Sequence, residues 1–201
     1  MGATEEWNGS AWSNNPNSMG TARRALIGIG TQTAALAAGG YTTTMLNNVE
    51  EYDGSSWTAQ NTLPAANESL GGAGTQTAGL TFGGLAPSFT TATNEYDGTN
   101  WTSGGNLAVA RWGLGRGTVG TQTSCLGFGG EAPGVTGVTE GYDGTAWSSR
   151  PSMGTARRAS GGAGTQTANL SAGGYSTAIT AVVEEFTGAT ETATASTLTT
   201  S

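Results

Sequence analysis

The chain has 201 residues, of which 10% are charged; all seven basic residues are arginine, histidine is absent, and the net charge is −7 with a pI near 4.4. Without an imidazole there is no His-dependent triad, no imidazole general base and no His metal ligand, and the acidic balance disfavours nucleic acid and anionic membrane surfaces as partners. The single cysteine, Cys125, cannot close an internal disulfide and reads as a small buried hydrophobe, and no apolar run approaches the ~20 residues that a membrane span needs.

The first residues, Met-Gly-Ala-Thr-Glu-Glu-Trp, lack the basic and apolar regions of a secretory leader. From Glu5 to Trp12 the chain reads EEWNGSAW: an acidic pair, an aromatic, an Asn-Gly turn and a tryptophan. This predicts a hairpin whose aromatics, Trp7 and Trp12, pack into a shared core. The small residues and Met19 of Ser18–Arg24 then lead into an inner strand, Ala25–Gly30, that is apolar and glycine-rich as a crowded strand would be. Gly-Thr-Gln-Thr turns the chain, a second strand covers Ala34–Ala38 and Gly39-Gly40 ends it. A variable loop at Tyr41–Leu46 precedes a third strand, Val49–Tyr52. The Asp53-Gly54 turn suits a short hairpin, and a fourth strand runs from near Trp57 to Leu63-Pro64.

This order then recurs. The octet returns as EEYDGSSW at Glu50–Trp57, NEYDGTNW at Asn94–Trp101, EGYDGTAW at Glu140–Trp147 and, worn, EEFTGATE at Glu184–Glu191. Its aromatics, Trp7, Tyr52, Tyr96, Tyr142 and Phe186, step by 45, 44, 46 and 44 residues. Gly-Thr-Gln-Thr begins at Gly30, Gly74, Gly120 and Gly164, and the Gly-Gly pair at Gly39, Gly83, Gly129 and Gly173. Three landmarks on one period define one structural unit per repeat. Four short strands in roughly 45 residues predict an all-β chain built of β-propeller blades, since no amphipathic stretch of 10–15 residues supports a helical solenoid. The expected single domain has a partial repeat at 1–17, four-stranded repeats at 18–61, 62–105, 106–150 and 151–195, and a tail at 196–201. The N-terminal strand pair could close a four-bladed ring by strand exchange with the last repeat. It could instead fill part of a fifth blade position, or the whole could be a piece of a ring completed by other segments or chains; open β edges template such association.

The double glycine closing the second strand, the Tyr-Asp turn about a dozen residues later and the following Trp resemble the kelch repeat. The matching residues are Gly39-Gly40, Tyr52 and Trp57; Gly83-Gly84, Tyr96 and Trp101; and Gly129-Gly130, Tyr142 and Trp147. The fourth copy keeps Gly173-Gly174 but has Phe186 for Tyr and Glu191 for Trp. The plan is similar to the kelch-like blades of the galactose oxidase family. That family's copper chemistry needs histidine and tyrosine ligands and is not carried over. The wording Gly-Thr-Gln-Thr-Ala with Tyr-Asp-Gly-Thr-x-Trp also resembles kelch-like repeats of structural and fibre proteins of tailed phages. That resemblance implies a virion protein.

The regular acids read as scaffold. Glu5, Glu50, Glu140 and Glu184 stand two before the aromatic, and Glu6, Glu51, Glu95 and Glu185 one before. A catalytic site is needed once, not in every repeat, and neighbours on a strand face opposite ways. The arginine column Arg23, Arg111 and Arg157, with Asn67 in the second repeat, is the expected partner, in exposed pairs contributing about 0–1 kcal/mol each. The Asp-Gly turns lack the ligand set of a calcium loop. The glycine strings lack a P-loop lysine and a following helix. No catalytic residue, metal ligand or cofactor is expected. Variation at a fixed position marks Arg24, Glu68, Trp112 and Arg158 as a candidate contact surface, with the loops after Gly-Gly (41–46, 85–91, 131–136 and 175–179) as a second. The expected function is a structural or binding module of a virion, a tail-fibre or decoration component contacting other virion proteins, a host receptor or a glycan, without membrane insertion and able to form a homo-oligomer. A secreted or bacterial cell-surface carbohydrate-binding propeller is the alternative, followed by a carboxylate-only glycosidase, for which Glu68 and Glu131 are the acids outside the repeated columns.

Overall fold

The computed structural model describes residues 2–188; Glu191 and the tail expected at 196–201 lie outside them. All regular elements among the described residues are strands. The first octet folds as the antiparallel pair β1 (Thr4–Trp7) and β2 (Trp12–Asn15). The first full repeat is a four-stranded antiparallel sheet, β3 (Ile27–Thr31), β4 (Ala34–Ala38), β5 (Val49–Tyr52) and β6 (Trp57–Gln60), hydrogen-bonded in chain order. The inner strand begins two residues later than the sequence predicts, and the outer one stops before Leu63.

The second repeat forms β7 (Gly71–Thr75) and β8 (Ala78–Phe82), then a small hairpin of β9 (Leu85–Ala86) and β10 (Ser88–Phe89) in the variable loop. It ends with β11 (Thr93–Tyr96) and β12 (Trp101–Ser103). The third matches it with β13 (Arg116–Thr121), β14 (Ser124–Phe128), the loop hairpin β15 (Glu131–Ala132) and β16 (Gly134–Val135), β17 (Thr139–Tyr142) and β18 (Trp147–Arg150). The fourth contributes β19 (Gly161–Gly164), β20 (Ala168–Ala172) and β21 (Val183–Thr187); the expected fourth strand falls beyond the described residues. These sheets, stacked by repeat around their inner strands, form a propeller-like all-β fold.

The strand-exchange closure is not the arrangement formed. β20 pairs with β21, from Ala168↔Thr187 to Ala172↔Val183, while β1 and β2 pair with each other in a separate two-stranded sheet. The third and fourth sheets merge instead through a parallel ladder between the inner strands β13 and β19. Glycine permits that closeness: a Cβ on Gly117 would collide with the Gly162 carbonyl.

The inner rim is tied by a backbone belt. The Ser69 N–H donates to Ala25 O at 2.9 Å, Gly113 N–H to Ser69 O at 3.0 Å and Ala159 N–H to Gly113 O at 2.7 Å. All four residues sit in the left-handed region, with φ of 56°, 54°, 63° and 54° at Ala25, Ser69, Gly113 and Ala159. Three of them are not glycine, so the belt holds a costly conformation at corresponding places.

The core lies between sheets rather than within one. Leu36, Ala38 and Val49 of the first repeat are buried beneath Tyr96 and Trp101 of the second. Leu80, Phe82 and Leu126, with Cys125, pack with Tyr142 and Trp147 of the third. Cys125 is the buried hydrophobe the sequence predicts, and burial pushes its thiol pKa up. In each octet the aromatic pairs across the hairpin with the tryptophan, at centroid distances of 5.6, 5.0, 4.8 and 5.0 Å from the first copy to the fourth. Such pairs add to the area they bury.

Candidate functional site

The acids of the octet divide into two structural duties. The first of each pair turns inward to its own repeat: Glu50 pairs with Arg23, Glu140 with Arg111, and Glu184 with Arg157 at 2.8 Å. The same carboxylates accept the backbone N–H groups of Gly20, Ala108 and Gly154 at 2.6–2.7 Å, which fixes the loop entering each inner strand. The partners are those the sequence predicts, but the expected exposure is wrong. All three arginines are buried, each guanidinium laid against the second strand of its own repeat, where it donates to the Ala37, Gly127 and Ser171 carbonyls. Asn67, at the arginine position of the second repeat, donates to Gly83 O at 2.9 Å instead, and the acid position there is Asn94. Charge has left both columns of that repeat together.

The second acid of each pair reaches the next repeat. Tyr52 donates its hydroxyl to Glu6, Tyr96 to Glu51 at 3.0 Å and Tyr142 to Glu95 at 2.5 Å. At the last joint the acid position is Gly141 and the tyrosine position Phe186, so donor and acceptor are again lost as a pair. The Gly-Thr-Gln-Thr glutamine spans the same joints. The Gln76 amide donates to Ala35 O and Tyr52 O, Gln122 to Gly79 O and Tyr96 O, and Gln166 to Cys125 O and Tyr142 O, at 2.5–3.3 Å. The Gly-Gly pair works in the other direction. Gly40, Gly84 and Gly130 each donate at 2.9 Å to a carbonyl of the next repeat, at Asn67, Arg111 and Arg157. A Cβ on Gly39 would stand 2.5 Å from Asn67 O, so a side chain there would prise the sheets apart. Glutamine and double glycine, legible as landmarks, are thus clamps between repeats, a role their spacing alone does not reveal.

The turn aspartates serve their own hairpins. Asp53 Oδ1 accepts from the backbone N–H of Ser55 and Ser56, both at 2.8 Å, and Asp97 and Asp143 do the same. Hydrogen bonds from Ser56 and Ser55 draw the Asp53 pKa down to about 2, and those within the other two turns lower Asp97 and Asp143. Among the described residues there is no group of three or more His, Cys, Asp or Glu able to hold a metal ion.

The variable column behaves differently. Arg24, Glu68, Trp112 and Arg158 each bridge through the backbone to the first residue of their own post-Gly-Gly loop: Tyr41, Leu85, Glu131 and Tyr175. The two candidate surfaces are therefore one. Within it the side chains do not all converge. The Arg24 guanidinium lies 4.9 Å over the Tyr41 ring, and Glu68 forms no ion pair among the described residues. Trp112 and Arg158 meet: the guanidinium is 5.0 Å from the Trp112 ring and 4.8 Å from Tyr175, held between them. Its Nε lies 2.8 Å from Glu131 Oε2, and the far side of Trp112 stacks on Phe89 at 6.4 Å. Trp112, Arg158 and Glu131 are half-buried and Tyr175 is exposed, so this is a ledge and not a plug in the centre. Phe89, Glu131 and Tyr175 complete it; the sequence marks Phe89 and Tyr175 only as members of variable loops, and Glu131 also as an acid outside the repeated columns.

A cavity lies apart from the ledge, between the third and fourth repeats. Its walls include Leu126, Phe128, Thr139, Met153, Glu185 and Phe186. In the preceding joint the corresponding place holds Trp147, edge-on to Phe82 at 4.8 Å with its indole N–H on Thr93 at 2.9 Å.

No protein-family model matches the chain, and no curated protein matches it.

Proposed function

We propose that the chain is a non-catalytic, kelch-type β-propeller module with five blade positions, the N-terminal hairpin filling one in part. In this reading it serves in a virion as a tail-fibre or decoration component, and its ledge of Trp112, Arg158, Glu131 and Tyr175 contacts a host-surface glycan or receptor. The observation that carries it is the guanidinium held between two aromatic rings at a column that varies between the repeats. Trp, Tyr and Arg are the side chains that dominate recognition surfaces, and Arg158 is pre-positioned by Glu131 and the two rings, which lowers the ordering cost of binding. The non-catalytic part is supported by the engagement of ten acids: four are ion-paired with arginine, three accept from tyrosine and three close turns. Glu131 faces Arg158.

A glycan array probed with the intact chain tests the contact. Selective binding that falls at least tenfold on Trp112→Ala and on Arg158→Ala, with unchanged folding, is expected from a hot-spot residue; binding untouched by both substitutions overturns it. Mass spectrometry of purified phage particles tests the location. The chain in the particle supports a virion protein, whereas glycan binding by a chain absent from particles favours the secreted or cell-surface form.

A further inference from the structure

The joints between successive repeats are built from the same two halves, and among the described residues each half also occurs once uncovered. The covering half is the octet hairpin, whose aromatic and tryptophan face the preceding repeat. The covered half is the second and third strands of that preceding repeat. In the first joint the covered set is Leu36, Ala38 and Val49, at 0%, 0% and 2% exposure, lying under Tyr96 and Trp101. The fourth repeat carries the same Leu-Ala-Val set at the corresponding positions, Leu170, Ala172 and Val183. There Leu170 is 38% and Val183 59% exposed. At the other end, the hairpin β1–β2 turns Glu6 and Thr4 toward the first repeat, where they bond Tyr52 and Trp57. Its covering face is left open, with Trp7 44% and Trp12 68% exposed.

We infer that these two open faces bind each other between copies of this chain, the Trp7/Trp12 hairpin of one copy seating on the Leu170, Ala172 and Val183 face of the next. Three observations on the molecule favour a second copy as occupant. Both faces are open in one and the same chain, so neither is used by the other. Their chemistry is that of the joint already made by Leu36, Ala38 and Val49 with Tyr96 and Trp101. The polar groups also correspond: Glu185 occupies the position from which Glu6, Glu51 and Glu95 accept a tyrosine hydroxyl, and Trp7 brings an indole N–H in place of that hydroxyl. The contact is heterologous, one face against a different one, so it propagates head to tail and either closes into a ring or extends as a filament. It goes beyond the ledge reading and does not depend on what the ledge binds.

Sedimentation velocity with two blocked variants tests it. Trp12→Asp spoils the covering face and Val183→Asp the covered face; both positions are exposed. The wild type is expected to form oligomers that grow with concentration. Each variant alone, keeping only one usable face, should remain monomeric to at least tenfold higher concentration. Mixed together, the two should give a one-to-one dimer that grows no further. A wild type that stays monomeric overturns the inference, as does a mixture that behaves like the separate variants. In case Trp12→Asp loosens the hairpin, Trp12→Cys mixed with Val183→Cys under mild oxidation should yield the mixed disulfide dimer in excess over either homodimer. Cys125 does not compete because it is buried. A statistical mixture of dimers, or no disulfide at all, overturns the inference equally.

Discussion

The buried arginine–glutamate pairs are the residues with most at stake. Arg111 and Glu140 are both almost wholly out of water, and burial pulls the guanidinium pKa down while Glu140 opposes that shift. Removing one partner leaves the other charged and unpaired, at a cost of about 3–5 kcal/mol. The second repeat shows what the fold tolerates, with Asn67 and Asn94 at the two positions. Arg111→Asn or Glu140→Asn alone should therefore lose about 3–5 kcal/mol, and the double substitution clearly less than the sum of the two, as read by urea unfolding in a double-mutant cycle. Additive losses would refute the coupling. The tyrosines set a pH dependence. Its hydrogen bond to Glu6, and then burial, raise the Tyr52 pKa to about 12, while burial first and a neighbouring glutamate second raise Tyr96 and Tyr142. A folded pKa above the unfolded one means that this stability is present below about pH 10 and is lost as the pH rises toward 12. The lowered pKa values of Glu6, Asp53, Asp97 and Asp143 act in the opposite sense. Their contribution is held above about pH 4 and lost as the pH falls further. A urea midpoint that is flat from about pH 5 to 9 and falls on both sides is expected; no alkaline fall would contradict the tyrosine bonds.

At the scale of the element, the joint is the unit of stability. A glutamine that crosses it satisfies two carbonyls of the neighbouring sheet, and partly buried acceptors left without a donor cost about 1–3 kcal/mol in total. Gln122→Ala should destabilise the chain by that amount, whereas Gln32→Ala, at an exposed glutamine whose preceding sheet is only the hairpin β1–β2, should be near neutral; thermal unfolding of both compares them directly. Much of the element level is legible in the sequence. The Asp-Gly turns, the strand order and the Gly-Gly stops are local, and each follows from backbone geometry at a few residues. The burial of Arg23, Arg111 and Arg157 is not, because it depends on how each side chain lies along the second strand of its repeat, and a charged side chain reads as exposed until that packing is known. The ledge is half legible. The column Arg24, Glu68, Trp112 and Arg158 stands out by its variation, but that Arg158 finds Trp112 and Tyr175 while Arg24 and Glu68 stand apart depends on which loops fold over which repeat.

At the scale of the whole molecule, the joints described above run between neighbouring repeats, and beyond them the inner strands β3 and β13 approach each other, so the chain is close to one-dimensional, a sum of repeats and joints. The paired losses along the joints then decide which pieces of the chain are interchangeable. Excising residues 62–105 would bring the first repeat against the third. Glu51 would receive the Tyr142 hydroxyl and Gln122 the carbonyls of Ala35 and Tyr52, so every clamp would find a partner of the right kind. Excising residues 106–150 would set Glu95 opposite Phe186, a half-buried carboxylate without its donor. The first shortened chain should fold cooperatively and the second should be weaker by about 1–3 kcal/mol, with Phe186→Tyr restoring it; calorimetry of the three chains gives the order. The tyrosine–glutamate bonds thus act as a grammar of succession, stating which repeat is allowed to follow which, and a gene that gains or loses a repeat must obey it to leave a folded product.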